Sequence, residues 1–277
     1  MSIITINRGS YSRGKQVAEK LALKLGYECI SRDILLEASD EFNIPEIKLI
    51  RALHDPASVL ERFLHGKEKY VNYIRTALLQ HVCKDNIVYH GLAGQYFLRD
   101  IPHVLKVRIS ADMQERVKEE MRRENISAEK ALYVLKKDDE ERRKWAMQVY
   151  DTDPWDSRLY DIILHIGRLT ADDAVDILFD TVRKPNFKTT PESQKLVENL
   201  TLASRVESDL AIIAPKIEVI AQGGRIIINN IAFENGSKEE DRIKSIVMQI
   251  NGVEEVVFNI KTPADQRGHV NPFYNIG

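Results

Sequence analysis

Two cysteines in 277 residues, Cys29 and Cys83, are too few and too far apart for a disulfide framework or a thiolate metal site. Each lies in an apolar stretch, so both are expected to be buried, inert thiols. No run approaches the roughly 20 apolar residues that span a bilayer, and the opening MSIITINRGS has no basic segment followed by an apolar one. A cytoplasmic protein is expected. Charge of one sign is also lacking: 40 Lys and Arg face 42 Asp and Glu, a net charge of -2, so no global field recruits a polyanion. What is present suits a packed interior, with 43% hydrophobic and 30% charged residues. The length predicts two domains, since domains cluster at about 100–150 residues.

Ile3 to Ile6 is a β-branched run that ends in polar residues and glycine, and Val17, Ala18, Leu21 and Leu25 then recur at helical spacing. Gly26 stops that helix, Tyr27 to Ile30 reads as a second strand, and Arg32 to Phe42 as a helix capped by Ser31. Pro45 to Lys84 is helical in pattern and charged, which predicts an α-helical insertion. Asn86 to Tyr89, Val104 to Ile109 and Ile162 to Ile166 read as interior strands of a parallel sheet, with a charged helical stretch over 112–150 and a closing helix over 170–182. Strands alternating with helices imply an α/β, doubly wound sheet.

Residues 185–193, with two prolines, have the composition of a linker. Beyond it a helix, two strands joined at Gly223-Gly224, a helix and a strand predict a small α+β domain over 194–261, with a weakly ordered tail over 262–277.

The run Gly9-Ser10-Tyr11-Ser12-Arg13-Gly14-Lys15-Gln16 fits G-x-x-x-x-G-K between a strand and an amphipathic helix. Glycines let the backbone wrap a phosphate, amide N–H groups and the helix dipole attract it, and the lysine adds a point charge. Gln16 stands where a P-loop usually has Ser or Thr. It is the poorer metal ligand, so nucleotide and water would hold Mg²⁺, with Ser10 or Ser12 as candidate helpers. A second cationic group, Arg116, Lys118, Arg122, Arg123, Lys136, Lys137, Arg142, Arg143 and Lys144, recurs at helical spacing; such runs usually form a solvated helix face, although a phosphoryl-transfer domain would need cations over the transferring group. Glu115, Glu119, Glu120, Glu124, Asp138, Asp139, Glu140 and Glu141 interleave with it, which argues against nucleic acid as partner.

Taken in order, ITINRGSYSRGKQVAEKLALKLGYECISRDILLEA, the segment from IPHVLKVRISADMQERVKEEMRRE through KKDDEERRKW, and WDSRLYDIILHIGRLTADDAVDIL resemble the cytidylate kinase-like family over residues 1–184. The resemblance implies a P-loop kinase-type parallel sheet flanked by helices, ATP as donor, Mg²⁺ as cofactor and a pyrimidine nucleoside monophosphate such as CMP as acceptor. It places Gly9, Ser10, Ser12, Arg13, Gly14, Lys15 and Gln16 on the donor phosphates. Arg32 and Asp33 fall at the monophosphate site, and Lys137, Asp138 and Arg142 on the lid. Where the family commonly has Gly-Arg after the third strand, this chain has His90-Gly91-Leu92, so His90 and Gly91 are the acceptor-side candidates. Leu92 cannot pair with a phosphate, and Lys137 replaces a lid arginine.

The C-terminal segment, with LASRVESDLA and IEVIAQGGRIIINNIAFENGSKEEDRIKSIVMQINGVEEVVFNI, resembles a BON domain. That resemblance implies a module for protein or membrane-surface association. Two functional readings follow: a nucleoside monophosphate kinase, or a catalytically impaired nucleotide-binding regulator that signals through this module.

Overall fold

The computed structural model describes residues 2–10, 12–31, 33–43, 67–91, 93–214, 217–231 and 237–260. Residues 45–66 of the helical insertion expected over 45–84, the tail over 262–277, Arg32 and Leu92 lie outside these. Two compact units are present, 1–197 and 198–277.

The first unit is a five-stranded sheet in the order β2-β3-β1-β4-β5, with every pairing parallel. Its strands are β1 (Ile3–Arg8), β2 (Glu28–Ile30), β3 (Ile87–His90), β4 (Val104–Ala111) and β5 (Ile162–Ile166). The apolar runs of β1 and β3 are buried on both faces, as interior parallel strands require, while β4 alternates buried Leu105, Val107 and Ile109 with half-buried Lys106 and Arg108. One face carries Ile4, Ile6, Val88, Leu105, Val107 and Ile109 against helices α1 (Gly14–Leu25) and α7 (Ala171–Val182). Helix α1 presents Val17, Ala18 and Leu21 to this layer and ends at Gly26, whose φ of 69° provides the left-handed cap. On the other side of β1, Thr5 and Tyr89 press so close to Gly94 that a Cβ there would collide with both.

Helix α2 (Asp33–Glu41) packs with α3 (Lys67–Val82). Helix α3, the later part of the expected insertion, is helical and packed into the core: Thr76, Ala77, Leu78 and Leu79 are consecutive and fully buried. A helix apolar on several faces has no solvated side, and its charged termini disguised this in the sequence. After β3 come the short α4 (Gly94–Phe97) and, beyond β4, α5 (Met113–Glu124) and α6 (Ala128–Tyr150). The charged stretch over 112–150 is thus two helices, broken at Asn125 with φ of 52° and restarted by Ser127, whose side chain caps Lys130 N. Neither cysteine is disulfide-bonded, and both are half-buried rather than buried, Cys29 because β2 is the edge strand.

Residues 185–193 are tied down more than a linker need be. Pro185–Phe187 forms a 3-10 turn, Thr189 donates to Asp85, and Gln194 donates to the Cys83 carbonyl at 3.0 Å. Helix α8 (Pro191–Leu210) starts here and runs into the second unit.

In the second unit β6 (Glu218–Gln222) and β7 (Arg225–Ile231) form an antiparallel hairpin, and β8 (Glu255–Ile260) adds parallel to β7. Gly223 and Gly224 make the turn with φ of 55° and 88°, a conformation that disfavours any side chain. Val206, Leu210, Ile226, Ile228 and Val247 form its core, the last from helix α9 (Ser237–Val247).

Candidate functional site

β1 lies between β3 and β4, and the chain leaves it toward β2, two places away, before crossing to β4 on its other side. The crevice beyond the carboxyl ends of strands at such a reversal is where open α/β sheets bind ligands. Here that crevice holds a cleft of about 930 Å³, lined among others by Arg13, Gly14, Lys15 and Gln16 from the loop and by Asp138 and Glu120 from α6 and α5.

The loop is built for this position. Arg13 precedes α1 with φ of 62°, unusual for a residue with a side chain, and makes no side-chain cap. The first amides of α1 therefore face the cleft without a protein side chain on them, which is the usual arrangement for anion capture. Gly14 cannot carry a side chain, since a Cβ would lie 2.6 Å from Cβ of Arg8. Ser12 turns inward instead and donates its hydroxyl to the Gly9 carbonyl at 3.0 Å, so it braces the loop. Lys15 is 65% exposed and loosely paired with Glu19 at 3.5 Å, a contact of little energetic weight that leaves the ammonium available.

Helix α6 reaches over the loop. Ser10 Oγ donates to Asp138 at 3.3 Å, and Arg142 donates to Ser10 Oγ at 2.9 Å and to the Arg8 carbonyl at 3.4 Å. Burial, reinforced by Arg116, holds the Arg142 guanidinium below its ordinary value, against the opposing charges of Asp138 and Asp139. Burial and then the Arg142 charge do the same to Arg8.

Of the residues expected from sequence, Ser10, Arg13, Gly14, Lys15, Gln16 and Asp138 line the cleft together, and Arg142 touches Ser10. Gly9 lies on the other side of the loop, against a smaller cavity. Lys137 is not brought in: it points to solvent and pairs with Glu141 at 3.7 Å. The helical period explains this, because Lys137 is about 100° around the axis from its neighbour Asp138. His90 is buried at the end of β3, and Gly91 is crowded by the Tyr89 hydroxyl. Neither lines the cleft. Asp33 opens α2 directly after the second strand.

Three participants escaped the sequence reading as site residues. Arg116 looked like one more cation on a solvated helix, yet it is buried, donates to the Ser10 carbonyl at 2.7 Å and grips Asp139. Its partner Asp139 and the strand-end Arg8 were likewise unmarked. Only the short apolar face of α5 hinted that position 116 turns inward. Glu120, one turn further on, is 4% exposed, and its Oε2 has no hydrogen-bond partner.

The chain has recognisable relatives among known proteins. The chain is 20% identical over 172 residues to a cytidylate kinase from Sulfolobus acidocaldarius, covering 62% of this chain and 88% of that protein. The crystal structure of an uncharacterized protein from Eubacterium ventriosum shares the fold, with a TM-score of 0.50, 23% identity, and coverage of 66% of this chain and 98% of that one. A shikimate kinase from Acinetobacter baumannii, in complex with shikimate, is more distant, with a TM-score of 0.40, 14% identity, and coverage of 68% and 96%. The model of the cytidylate kinase-like family matches residues 3–168, and the chain belongs to that family.

Proposed function

We propose that this protein is an ATP-dependent nucleoside monophosphate kinase that moves the γ-phosphoryl group to a pyrimidine monophosphate such as CMP. The observation that carries the reading is the loop Arg13–Lys15 at the start of α1, with Asp138 and Arg142 of α6 both bonded to Ser10 of that loop. Donor phosphates would rest on the first amides of α1 with Lys15 beside them, and Arg142 would face the transferring group from the lid side. An acceptor phosphate oxygen attacks the γ-phosphorus, the bond to the bridging oxygen breaks, and that oxygen leaves as the terminal oxygen of ADP. The chain's own contribution is position and charge, because the reaction needs no covalent protein intermediate.

Mg²⁺ would neutralise the donor phosphates. The residues present suit a cation: Gln16 lacks the hydroxyl, but the cleft is lined by the carboxylates of Asp138 and Glu120, the latter with its Oε2 unpartnered. Among the described residues no helix is long and apolar enough to cross a membrane, and a cytoplasmic location is part of this reading. We read 194–261 as a BON-like module for association with a protein or membrane surface. Its outward row of Ile220, Ile227 and Val257, in register across the three strands, offers an apolar stripe for such contact.

A second reading, a nucleotide-binding regulator with impaired turnover, draws on two observations. Lys137 faces solvent, and Leu92 takes the position of an acceptor arginine. Coupled ADP release with ATP and Mg²⁺ across CMP, dCMP, UMP, AMP and GMP separates the two. Turnover on one monophosphate that is lost in Lys15→Ala establishes the kinase; ATP binding without turnover on any of them favours the regulator.

A further inference from the structure

The sheet of the second unit is covered by helices on one face only. Helices α8 and α9 pack on the side that carries Val219, Ile226, Ile228 and Val256. Side chains alternate along a strand, so the residues between these point the other way. On that open side Ile220, Ile227 and Val257 lie in register as a row across β6, β7 and β8. A sheet face turned to water is ordinarily polar. Here its middle row is β-branched on all three strands, and Ile220 is 41% exposed.

Polar rows close the apolar one on both sides. On one side stand Glu218, Asn229 and Asn259, with Asn259 donating to Asn229 at 3.1 Å. On the other stand Gln222, Arg225 and Glu255, with Arg225 paired to Glu255 at 3.1 Å. An apolar centre inside a polar rim is the anatomy of a protein interface. The face holds two carboxylates against one guanidinium, a balance that an anionic lipid surface repels.

We propose that this face pairs with the same face of a second copy of the chain, the two apolar rows lying along one another on a two-fold axis. An isologous contact of this kind sets each residue of the row against itself. Turning the partner about the row brings its Gln222-Arg225-Glu255 edge over Glu218, Asn229 and Asn259. Glu218 then faces the partner's Gln222 with the partner's Arg225 beside it, and Asn259 offers its amide to the partner's Glu255. Turning the partner about β7 instead would set Arg225 against Arg225, so charge selects the first arrangement. Such pairing rests on the association reading of 194–261 and names its partner. Three strands make a patch roughly 15 Å across, small for a permanent interface, so the pair is a weak one that forms over roughly 10 μM to 1 mM.

Sedimentation equilibrium of the full chain over about 10 μM to 1 mM tests this. The average mass is expected to rise from one chain toward two. Ile227→Asp, which sets two carboxylates face to face, is expected to hold it at one. Gln222→Lys places an ammonium over the partner's Glu218, a contact made twice per pair, and is expected to tighten the pair about three- to ten-fold. Gln222→Glu sets like charges together and weakens it by a similar factor, although within its own chain the new carboxylate gains Arg225. Should circular dichroism show Ile227→Asp unfolded, the two Gln222 variants decide alone. A chain that stays monomeric throughout, a dimer indifferent to Ile227→Asp, or Gln222 variants that shift it in one direction or not at all overturn the pairing. Vesicles of phosphatidylcholine and phosphatidylglycerol separate that failure from failure of the association reading. A monomeric chain that sediments with them, and ceases to in Ile227→Asp, keeps the association reading with lipid as the occupant; one that binds neither loses both.

Discussion

Arg116 holds Asp139 through two parallel hydrogen bonds of 2.8 and 2.9 Å, and its remaining Nε–H goes to the Ser10 carbonyl at 2.7 Å. One guanidinium thereby joins α5, α6 and the phosphate-binding loop. A planar fork with three of its five donors held by fixed acceptors is a rigid connector, which a lysine could not replace.

Asp139→Ala is expected to lower stability by about 2–4 kcal/mol, because it leaves a buried guanidinium without its counter-ion. Arg116→Met with Asp139→Leu should recover much of that loss, since replacing both partners removes the unpaired charge. Urea unfolding midpoints of the parent chain and the two variants check this. A double variant as unstable as the single one would show that Arg116 matters through Ser10 instead.

Lys15→Ala is expected to weaken ATP binding about ten- to hundred-fold while leaving the unfolding temperature without nucleotide almost unchanged. Its ammonium is exposed and held only by Glu19, so the fold loses little. Differential scanning fluorimetry with and without ATP separates the two effects.

Gly14→Ala should disturb the loop from within. The added methyl would lie 2.6 Å from Cβ and 2.9 Å from Cδ of Arg8, and the Cβ of a strand residue cannot swing aside. Overpacking of this kind costs about 1–3 kcal/mol. A loss of ATP binding larger than the change in stability implies is the expected signature.

His103 predicts a pH dependence. It is buried with both ring nitrogens unpartnered, and burial holds its pKa below the ordinary value. The unfolded chain takes up a proton as pH falls through about 6.5 while the folded one does not, so stability is full above that pH and declines below it. The contribution approaches a slope of about 1.4 kcal/mol per pH unit between the two pKa values. His103→Leu should flatten that limb in urea melts between pH 7 and 5. An unchanged slope would place the sensitivity elsewhere.

Much of the first unit is local physics and could be read without coordinates. The apolar runs that form β1, β3, β4 and β5, the helical period of Val17, Ala18 and Leu21, and the Gly26 stop depend on neighbours within a few residues. So does the Gly223-Gly224 hairpin, because only a positive φ closes that turn easily. The loop was legible for the same reason: its glycines, its lysine and its place between strand and helix are contiguous in the chain.

Which charges turn inward was decided only by tertiary packing. Asp138 and Lys137 are adjacent in sequence, yet one bonds to Ser10 and the other faces water, because the roll of α6 over the loop selects one direction of a helix charged all round. Arg116 and Arg122 look equivalent in the sequence. The first is buried and locked to Asp139 while the second pairs with Glu119 at the surface. Arg8 is far in sequence from Gln95 and Arg108, and only the parallel order of β3, β1 and β4 brings the three around one cavity. Composition and spacing determined the fold class and the phosphate loop, since both are written in short-range pattern. The partners of each buried charge followed from the long-range contacts of the folded sheet, which no local pattern encodes.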